Sequence, residues 1–280
     1  MQWVRTADEC FDDLTGYPYA PKTIQCGEGG PRMAYVAEGP HENDPIVLLH
    51  GGPVWSYLWR RCIPGLIEGG YRALAPDLVG FGRSDKPLRA DELSIERHVI
   101  WLGHLLDGQG IAEATLVGHG LAAGLAIALL RAHPGRFDSL TLVSPVFERN
   151  AEVDQVLGEL GQTQEVYVSE VVSDGCVSDI SALVGDGYDA PFDDESRCAG
   201  LAALHGLLGE SWEDAKRPAI GVPVLDVRGP FDTLMTLDWD QRLPVARRPE
   251  RRVIRGAGHY LPEERGAELS LAILDFFASL

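Results

Sequence analysis

The chain has 280 residues, of which 24 are basic and 42 acidic, so its formal net charge is −18. With 45% hydrophobic and 24% charged residues, the composition is that of a globular protein. It excludes a disordered tail, a collagen-like fibre and a low-complexity scaffold. A chain of this length can bury a large core without metals or disulfides.

Nucleic acid is not expected as a partner, because phosphate binding requires clustered lysine and arginine side chains. The negative charge also disfavours an anionic membrane surface. The densest basic group is predicted to be a solvated loop before a strand and comprises Arg247, Arg248, Arg251 and Arg252. The partner predicted by the sequence is therefore a small molecule, and the oligomeric state is left open.

The five cysteines are odd in number and include no C-x-x-C pair. This pattern is typical of free thiols in a reducing cytoplasm. Residues 1–13 are mixed and acidic, unlike a signal peptide, and no apolar run reaches the roughly 20 residues that span a bilayer. The sequence therefore predicts a soluble cytoplasmic protein.

Strand and helix patterns alternate along most of the chain, after 30 residues that carry mainly turn signals. The apolar run 45–50 is typical of a strand buried on both faces of a parallel sheet. Strands are predicted at 33–37, 45–50, 71–76, 114–117, 140–143, 223–227 and 252–254. Helices are predicted at 57–67, which Pro64 would interrupt, at 94–106 with Ser94 as N-cap, at 121–132 and at 269–280. This order predicts an α/β fold with a mostly parallel sheet.

The alternation stops between two prolines, Pro145 and Pro218. The intervening stretch is too long for a structureless loop in a compact domain. It is predicted to be a helical cap over residues 145–217, inserted into a core domain made of residues 1–144 and 218–280. Such a cap can shield a site from water and select substrates.

Chemically useful residues follow several predicted strands, where open α/β sheets bind their ligands. The backbone amide of Gly52, after the strand 45–50, could face a reacting oxygen or a leaving group. Asp232 and His259 follow the last two strands, in the order of the acid and the histidine of an α/β-hydrolase triad. The acid would orient the imidazole, and the other ring nitrogen could then act as a base.

The strand at 114–117 runs into Gly118-His119-Gly120-Leu121, where a nucleophile elbow would read G-x-S-x-G. The middle position is Gly120, which has no side chain and cannot form a covalent intermediate. Ser144 projects from a different strand and is not expected to replace it. His119 is either a packed elbow histidine or a second base.

Two cofactor sites fit the sequence less well than this triad does. Residues 118–123 also match the dinucleotide pattern G-x-G-x-x-A, but that pattern normally lies in the first strand–helix unit and is followed by an acid. Here the unit is central, and the next strand ends in Ser144. The histidines form no metal-binding pattern, so neither a dinucleotide nor a metal is expected.

Several long strings resemble those of a known family. Residues 50–60 (HGGPVWSYLWR) and 75–87 (APDLVGFGRSDKP) are the longest, and residues 5–11, 17–21, 188–192 and 199–200 add to them. Through these strings the chain resembles the haloalkane dehalogenases of the α/β-hydrolase superfamily over most of its length. The resemblance implies a cofactor-free protein with a helical cap over an eight-stranded sheet.

In that family an aspartate displaces halide from carbon, and a histidine then activates water to hydrolyse the alkyl-enzyme ester. The resemblance assigns the histidine position to His259 and its acid partner to Asp232. It places Gly120 at the nucleophile position, and Leu121 and Gly52 at positions that bind halide. The family reaction has therefore lost its nucleophile and most of its leaving-group site.

The expected function is general-base catalysis by the histidine–aspartate pair on a small apolar organic substrate, without a covalent step. Elimination, dehydration, cyclisation, epoxide opening and direct attack by water would all suit it, and a natural-product tailoring step is one setting. The amides of Gly52 and Leu121 would stabilise developing negative charge. Aromatic side chains are expected to line the pocket, namely Trp55, Phe147 and Phe192.

Two other functions stay open at this point. The chain could be a non-catalytic binding or partner protein on a hydrolase scaffold, although a pure binder has no need for a histidine–aspartate pair. It could also retain hydrolysis, including dehalogenation by directly activated water.

Overall fold

The computed structural model describes residues 1–162, 167–215, 219–236, 238–241 and 243–280. Its strands are β1 Trp3–Val4, β2 Lys22–Gln25, β3 Arg32–Glu38, β4 Pro45–Leu49, β5 Arg72–Pro76, β6 Lys86–Pro87, β7 Ala114–His119, β8 Phe137–Val143, β9 Val224–Arg228 and β10 Glu250–Val253. Its helices are α1 Ile63–Glu68, α2 Ile95–Gly108, α3 Ala122–Ala132, α4 Ala151–Gln162, α5 Val168–Asp174, α6 Ala182–Asp189, α7 Ala199–Ala215, α8 Leu261–Glu264 and α9 Gly266–Phe277.

One eight-stranded sheet forms the centre of the molecule, in the order β10-β9-β8-β7-β4-β5-β3-β2. Neighbours from β10 to β5 pair in parallel, whereas β3 pairs antiparallel with both β5 and β2. Short β1 and β6 pair separately. The predicted α/β fold, with a mostly parallel eight-stranded sheet flanked by helices, is confirmed.

Strand β4 lies inside the sheet because its residues are apolar on both faces. Ile46, Val47, Leu48 and Leu49 are fully buried. Leu49 is in register with Gly118 of β7, so the loops after these two strands begin at the same edge of the sheet. That edge carries the candidate site.

Two elements differ from the sequence prediction. Strand β2 lies in the stretch predicted to be irregular, and its mostly exposed residues Lys-Thr-Ile-Gln show no hydrophobic alternation. The predicted helix at 57–67 is divided into a 3-10 helix, Ser56–Arg61, and helix α1. Pro64 lies in the first turn of α1, where its missing N–H leaves no unmade hydrogen bond.

Helices α4 to α7, here called the cap helices, lie between β8 and β9 in the chain. Helix α7 packs against α3 and α2 of the core. The predicted cap boundary at residue 217 lies outside the described residues. Within the described part of the chain, no helix is both long and apolar enough to cross a membrane.

Arg247 and Arg248 are exposed and precede a strand, as predicted, whereas Arg251 and Arg252 belong to edge strand β10 itself. Arg251 Nε lies 3.3 Å from buried Asp226, and Arg252 donates to the carbonyl of Ala272 at 2.8 Å. These arginines are engaged within the fold and do not form a free basic patch.

Candidate active site

The structure brings Asp232 and His259 together after β9 and β10. Nδ1 of His259 lies 3.1 Å from both carboxylate oxygens of Asp232. The His259 side chain is 6% exposed and that of Asp232 is fully buried. Because an ionised carboxylate can only accept, the shared proton belongs to Nδ1, and Nε2 keeps its lone pair.

Asp232 is held ionised in this position. Burial is the largest single influence and opposes its charge, but His259 together with hydrogen bonds from Ser144 and Leu234 lowers the pKa of the carboxyl. Oδ1 also accepts the backbone amides of Leu234 at 2.9 Å and Met235 at 3.1 Å. These bonds fix the carboxylate plane, and with it the orientation of the imidazole.

The loop that carries His259 is joined to the cap segment after α5. The carboxylate of Glu264 accepts the amide of Gly258 at 2.6 Å, and also those of Val177 at 2.7 Å and Ser178 at 2.9 Å. The amide of His259 donates to the carbonyl of Gly175 at 2.8 Å. Glu264 therefore positions the His259 loop against the cap, a role that the sequence prediction missed.

Gly120 lies in the turn between β7 and α3, facing the free nitrogen of His259. Its φ is +55°, a left-handed conformation that favours glycine. A Cβ at this position would lie 3.1 Å from His259 Nε2. The base nitrogen therefore faces bare backbone at the place where the resemblance puts a nucleophile.

Two backbone turns meet beside Gly120. A Cβ on Gly51 would lie 2.7 Å from the carbonyl oxygen of His119 and 3.0 Å from the amide of Leu121, so glycine is required for this approach. Within the described residues, the amides of Gly52 and Leu121 reach no hydrogen-bond acceptor. Both residues line the cavities at this edge of the sheet.

A cavity of about 20 Å³ lies next to His259. Its walls are mostly aliphatic, and α4 contributes Val153, Val156, Leu157 and Leu160. A second cavity of about 30 Å³ lies beyond Gly52, next to His50 and His98. The first will be called the base cavity and the second the inner cavity.

None of the three aromatic residues predicted to line the pocket is a lining residue of these two cavities. Trp55 is fully buried in an aromatic cluster, and its indole donates to the carbonyl of Gly187 at 2.9 Å. Phe147 packs against Trp239, with ring centroids 5.7 Å apart. Phe192 lines an outer groove beside the acidic Asp193. Large aromatic rings gain most by filling the core, and periodicity could not separate the two roles.

The sequence prediction missed the aliphatic residues of the cap helices that line the cavities, above all Leu204. It is 1% exposed and lines both cavities. Leu201, Leu204 and Leu208 recur at helical spacing in α7, which indicates an apolar face. The pattern does not say which of them meets Gly52.

His119 and His50 are packed, neutral histidines. His119 Nε2 donates to the carbonyl of His259 at 2.9 Å, and His50 Nε2 accepts the amide of Leu78 at 2.9 Å. Burial lowers the pKa of His119 to about 3, with a further contribution from His259, and burial lowers that of His50 to about 4. His119 supports the His259 backbone and is not a second base.

Because the pKa values of these two buried histidines are lowered, we expect the folded protein to lose stability in mild acid. Below pH of about 6.5 the unfolded histidines bind protons, whereas the folded ones stay neutral down to pH of about 4 or 3. The free energy of unfolding should therefore decrease as the pH is lowered through this window, by up to roughly 1.4 kcal/mol per pH unit for each histidine. Urea unfolding at pH 7, 6 and 5 measures the slope. His119→Gln should reduce it, and the same change at exposed His41 should not.

Gly120→Ala is expected to destabilise the fold by roughly 1–2 kcal/mol, because a side chain is disfavoured at its positive φ. The contact with His259 adds to this cost. Gly209→Ala is the matched control, because Gly209 lies at an exposed position of α7 where a Cβ would meet no atom within 4 Å. It should be neutral or stabilising. Equal urea midpoints for the two variants would contradict the assignment of strain to position 120.

The dinucleotide pattern has a packing explanation. A Cβ on Gly118 would lie 2.9 Å from the carbonyl oxygen of Ala122 and 3.0 Å from the Cβ of Ala126. The glycine therefore lets α3 pack closely on β7. Among the described side chains, no group of three or more His, Cys, Asp or Glu could hold a metal ion.

Comparison with known proteins agrees with this architecture. Residues 44–199 match the family model described as the alpha/beta hydrolase fold. The chain is 33% identical to a haloalkane dehalogenase of Mycobacterium marinum, over 99% of this chain and all of that protein. It is 30% identical to a haloalkane dehalogenase of Psychrobacter cryohalolentis, over 99% of this chain and 98% of that one.

Among solved structures, the tetrameric haloalkane dehalogenase DpaA from Paraglaciecola agarilytica superimposes with a TM-score of 0.85. The two chains are 25% identical, and the match covers 97% of each. Sequence and fold lead to the same assignment: the chain belongs to the haloalkane dehalogenase-like family of the α/β-hydrolase fold.

Proposed function

We propose that this protein is a cofactor-free enzyme in which His259, oriented by Asp232, acts as a general base without forming a covalent intermediate. The substrate is a small apolar organic molecule. The reaction is an elimination, dehydration, cyclisation, epoxide opening or direct attack by water, each of which begins with removal of a proton.

One observation carries this proposal. The lone pair of His259 Nε2 faces Gly120, which offers no atom that could attack carbon, while Nδ1 is engaged by Asp232. An imidazole held in this way can take a proton from substrate or water and return it later in the cycle. General-base catalysis of this kind typically supplies roughly 10²–10⁴-fold.

The unpaired amides of Gly52 and Leu121 would stabilise a developing negative charge next to the base. We assign the cap to residues 145–217 and the core to residues 1–144 and 218–280. In this proposal the aliphatic face of α4 excludes water from His259, which strengthens electrostatic interactions inside the site.

The test is a panel of chloroalkanes, bromoalkanes, epoxides and β-hydroxy ketones, followed by product analysis and intact-protein mass spectrometry. We expect consumption of at least one class of substrate with no increase in the protein's mass at any time. A covalent alkyl adduct would contradict the proposal. Ligand binding without turnover, undisturbed by His259→Gln, would instead favour a non-catalytic binder.

Dehalogenation by directly activated water is the second candidate, and the curated relatives favour it, since they are named haloalkane dehalogenases. The apolar surroundings of Gly52 disfavour it, because Leu204 covers the place from which a polar side chain would hold halide. Halide release from the haloalkanes of the panel decides between the two. If Gly120→Asp alone creates halide release, then only the nucleophile was missing.

A further inference from the structure

Three residues form a shared wall between the base cavity and the inner cavity, namely Gly52, Leu121 and Leu204. Gly52 and Leu121 belong to the core, and Leu204 comes from α7 of the cap. The inner cavity extends away from His259 towards Leu78, Phe81, Ile95, Leu125 and Leu207. The two cavities are therefore neighbours with one cap side chain between them.

Leu204 occupies the space above Gly52. A Cβ on Gly52 would lie 2.1 Å from Leu204 Cδ2 and 3.0 Å from its Cδ1. Any side chain at position 52 would therefore collide with the methyl groups of Leu204. The glycine and the leucine are complementary, and together they separate the two cavities.

Neither cavity alone admits an organic substrate. Volumes of about 20 and 30 Å³ correspond to roughly one or two water molecules each. Binding therefore requires a wall side chain to move. Rotation of the Leu204 side chain between staggered rotamers could join the cavities without displacing a helix.

The inner cavity offers no free polar side chain. Both ring nitrogens of His50 and of His98 lie within hydrogen-bond distance of backbone atoms. Among its described lining residues none is Asp, Glu, Lys or Arg. A charged or strongly polar group placed there would lose its hydration without compensation, so only the apolar part of a ligand fits.

We propose that Leu204 is the specificity-determining gate of this site, and that the substrate is an uncharged molecule with an extended hydrocarbon chain. The reacting end lies at His259, and the chain passes the rotated Leu204 side chain into the inner cavity. This inference rests on the proposed function for the direction of the substrate. The length of chain accepted is set by the Leu204 side chain.

The experiment measures binding of unbranched primary alcohols, from butanol to decanol, by isothermal titration calorimetry. Wild-type affinity should stop rising at the chain length that reaches Leu204, because the gain from further methylenes is offset by displacing this side chain. In Leu204→Ala it should continue to rise by about fourfold for each added methylene, because the two cavities are joined. Leu207→Ala is the matched control: it enlarges only the inner cavity and should keep the wild-type cut-off. In Leu204→Phe the cut-off should occur at a shorter chain length.

Leu204 is buried, so the alanine variant could lose its fold; Leu204→Val, which removes one carbon, then provides the same comparison. Identical chain-length profiles in wild type and both smaller variants would overturn the gate. An equal shift in Leu207→Ala, or no binding of any alcohol, would also overturn it. Failure of the proposed function has a different signature, namely turnover that survives His259→Gln while the profiles still depend on position 204.

Discussion

Replacing His259 with glutamine should lower turnover of the substrate identified in the panel by roughly 10²–10⁴-fold. Glutamine has nearly the length of the imidazole but has no nitrogen that accepts a proton near neutral pH. The 3.1 Å contacts with Asp232 show that the ring is already oriented. The loss should appear in kcat more than in KM, because the base acts in the transition state.

Asp232→Asn gives the companion measurement. The amide can present its NH2 group to Nδ1, which would place the imidazole proton on Nε2 and block the base. We expect a loss comparable to that of His259→Gln, and no additive loss in the double variant. His205→Gln, on the exposed face of α7, should keep full activity. Turnover in His259→Gln equal to wild type would refute base catalysis at this site.

Removing Arg60 should cost about 3–5 kcal/mol of unfolding free energy, the largest stability effect that we expect. The Arg60 and Glu263 side chains are 2% and 3% exposed, and two bonds of 2.5 and 2.8 Å join them. The hydroxyl of Tyr188, from cap helix α6, donates to the same carboxylate at 2.5 Å. Arg60→Ala would leave the buried Glu263 carboxylate with only the half-exposed Arg61, whose Nε lies 3.4 Å from Oε1.

Urea unfolding measures this cost. A double variant distinguishes the cost of an unpaired buried charge from the net contribution of the ion pair. Arg60→Met with Glu263→Gln removes both charges and should recover much of the stability lost in Arg60→Ala. The matched control is Arg89→Ala, whose partner Asp91 is also solvent-exposed. Its midpoint should stay at the wild-type value, since exposed pairs contribute little. Equal losses at positions 60 and 89 would contradict the importance of burial.

Much of the sheet could be predicted from the sequence because its inner strands are apolar over their whole length. β4 is the clearest case, with buried Ile46 to Leu49 bounded by Pro45 and a glycine-rich turn. The edge strand β2 could not be predicted, because its stability comes from pairing with β3 and its side chains are mostly exposed. Local periodicity reports burial and not pairing.

The candidate site, like the sheet, could be predicted from the sequence only in part. Asp232 and His259 could be proposed from their order after two strands, since parallel strands bring their carboxyl ends to one edge. The aliphatic walls of the two cavities could not be proposed, and none of the three aromatic residues named as pocket-lining belongs to them. A buried aromatic side chain and a pocket-lining one have the same local sequence signature.

The amino-acid sequence alone determined the α/β class, the family resemblance and the glycine at position 120, because these depend on residue identity and local order. Only the tertiary structure decided that Leu204 covers Gly52 and that Glu264 joins the His259 loop to the cap. These contacts connect residues far apart in the chain. They depend on how helices pack on the sheet, which no local pattern of residues encodes.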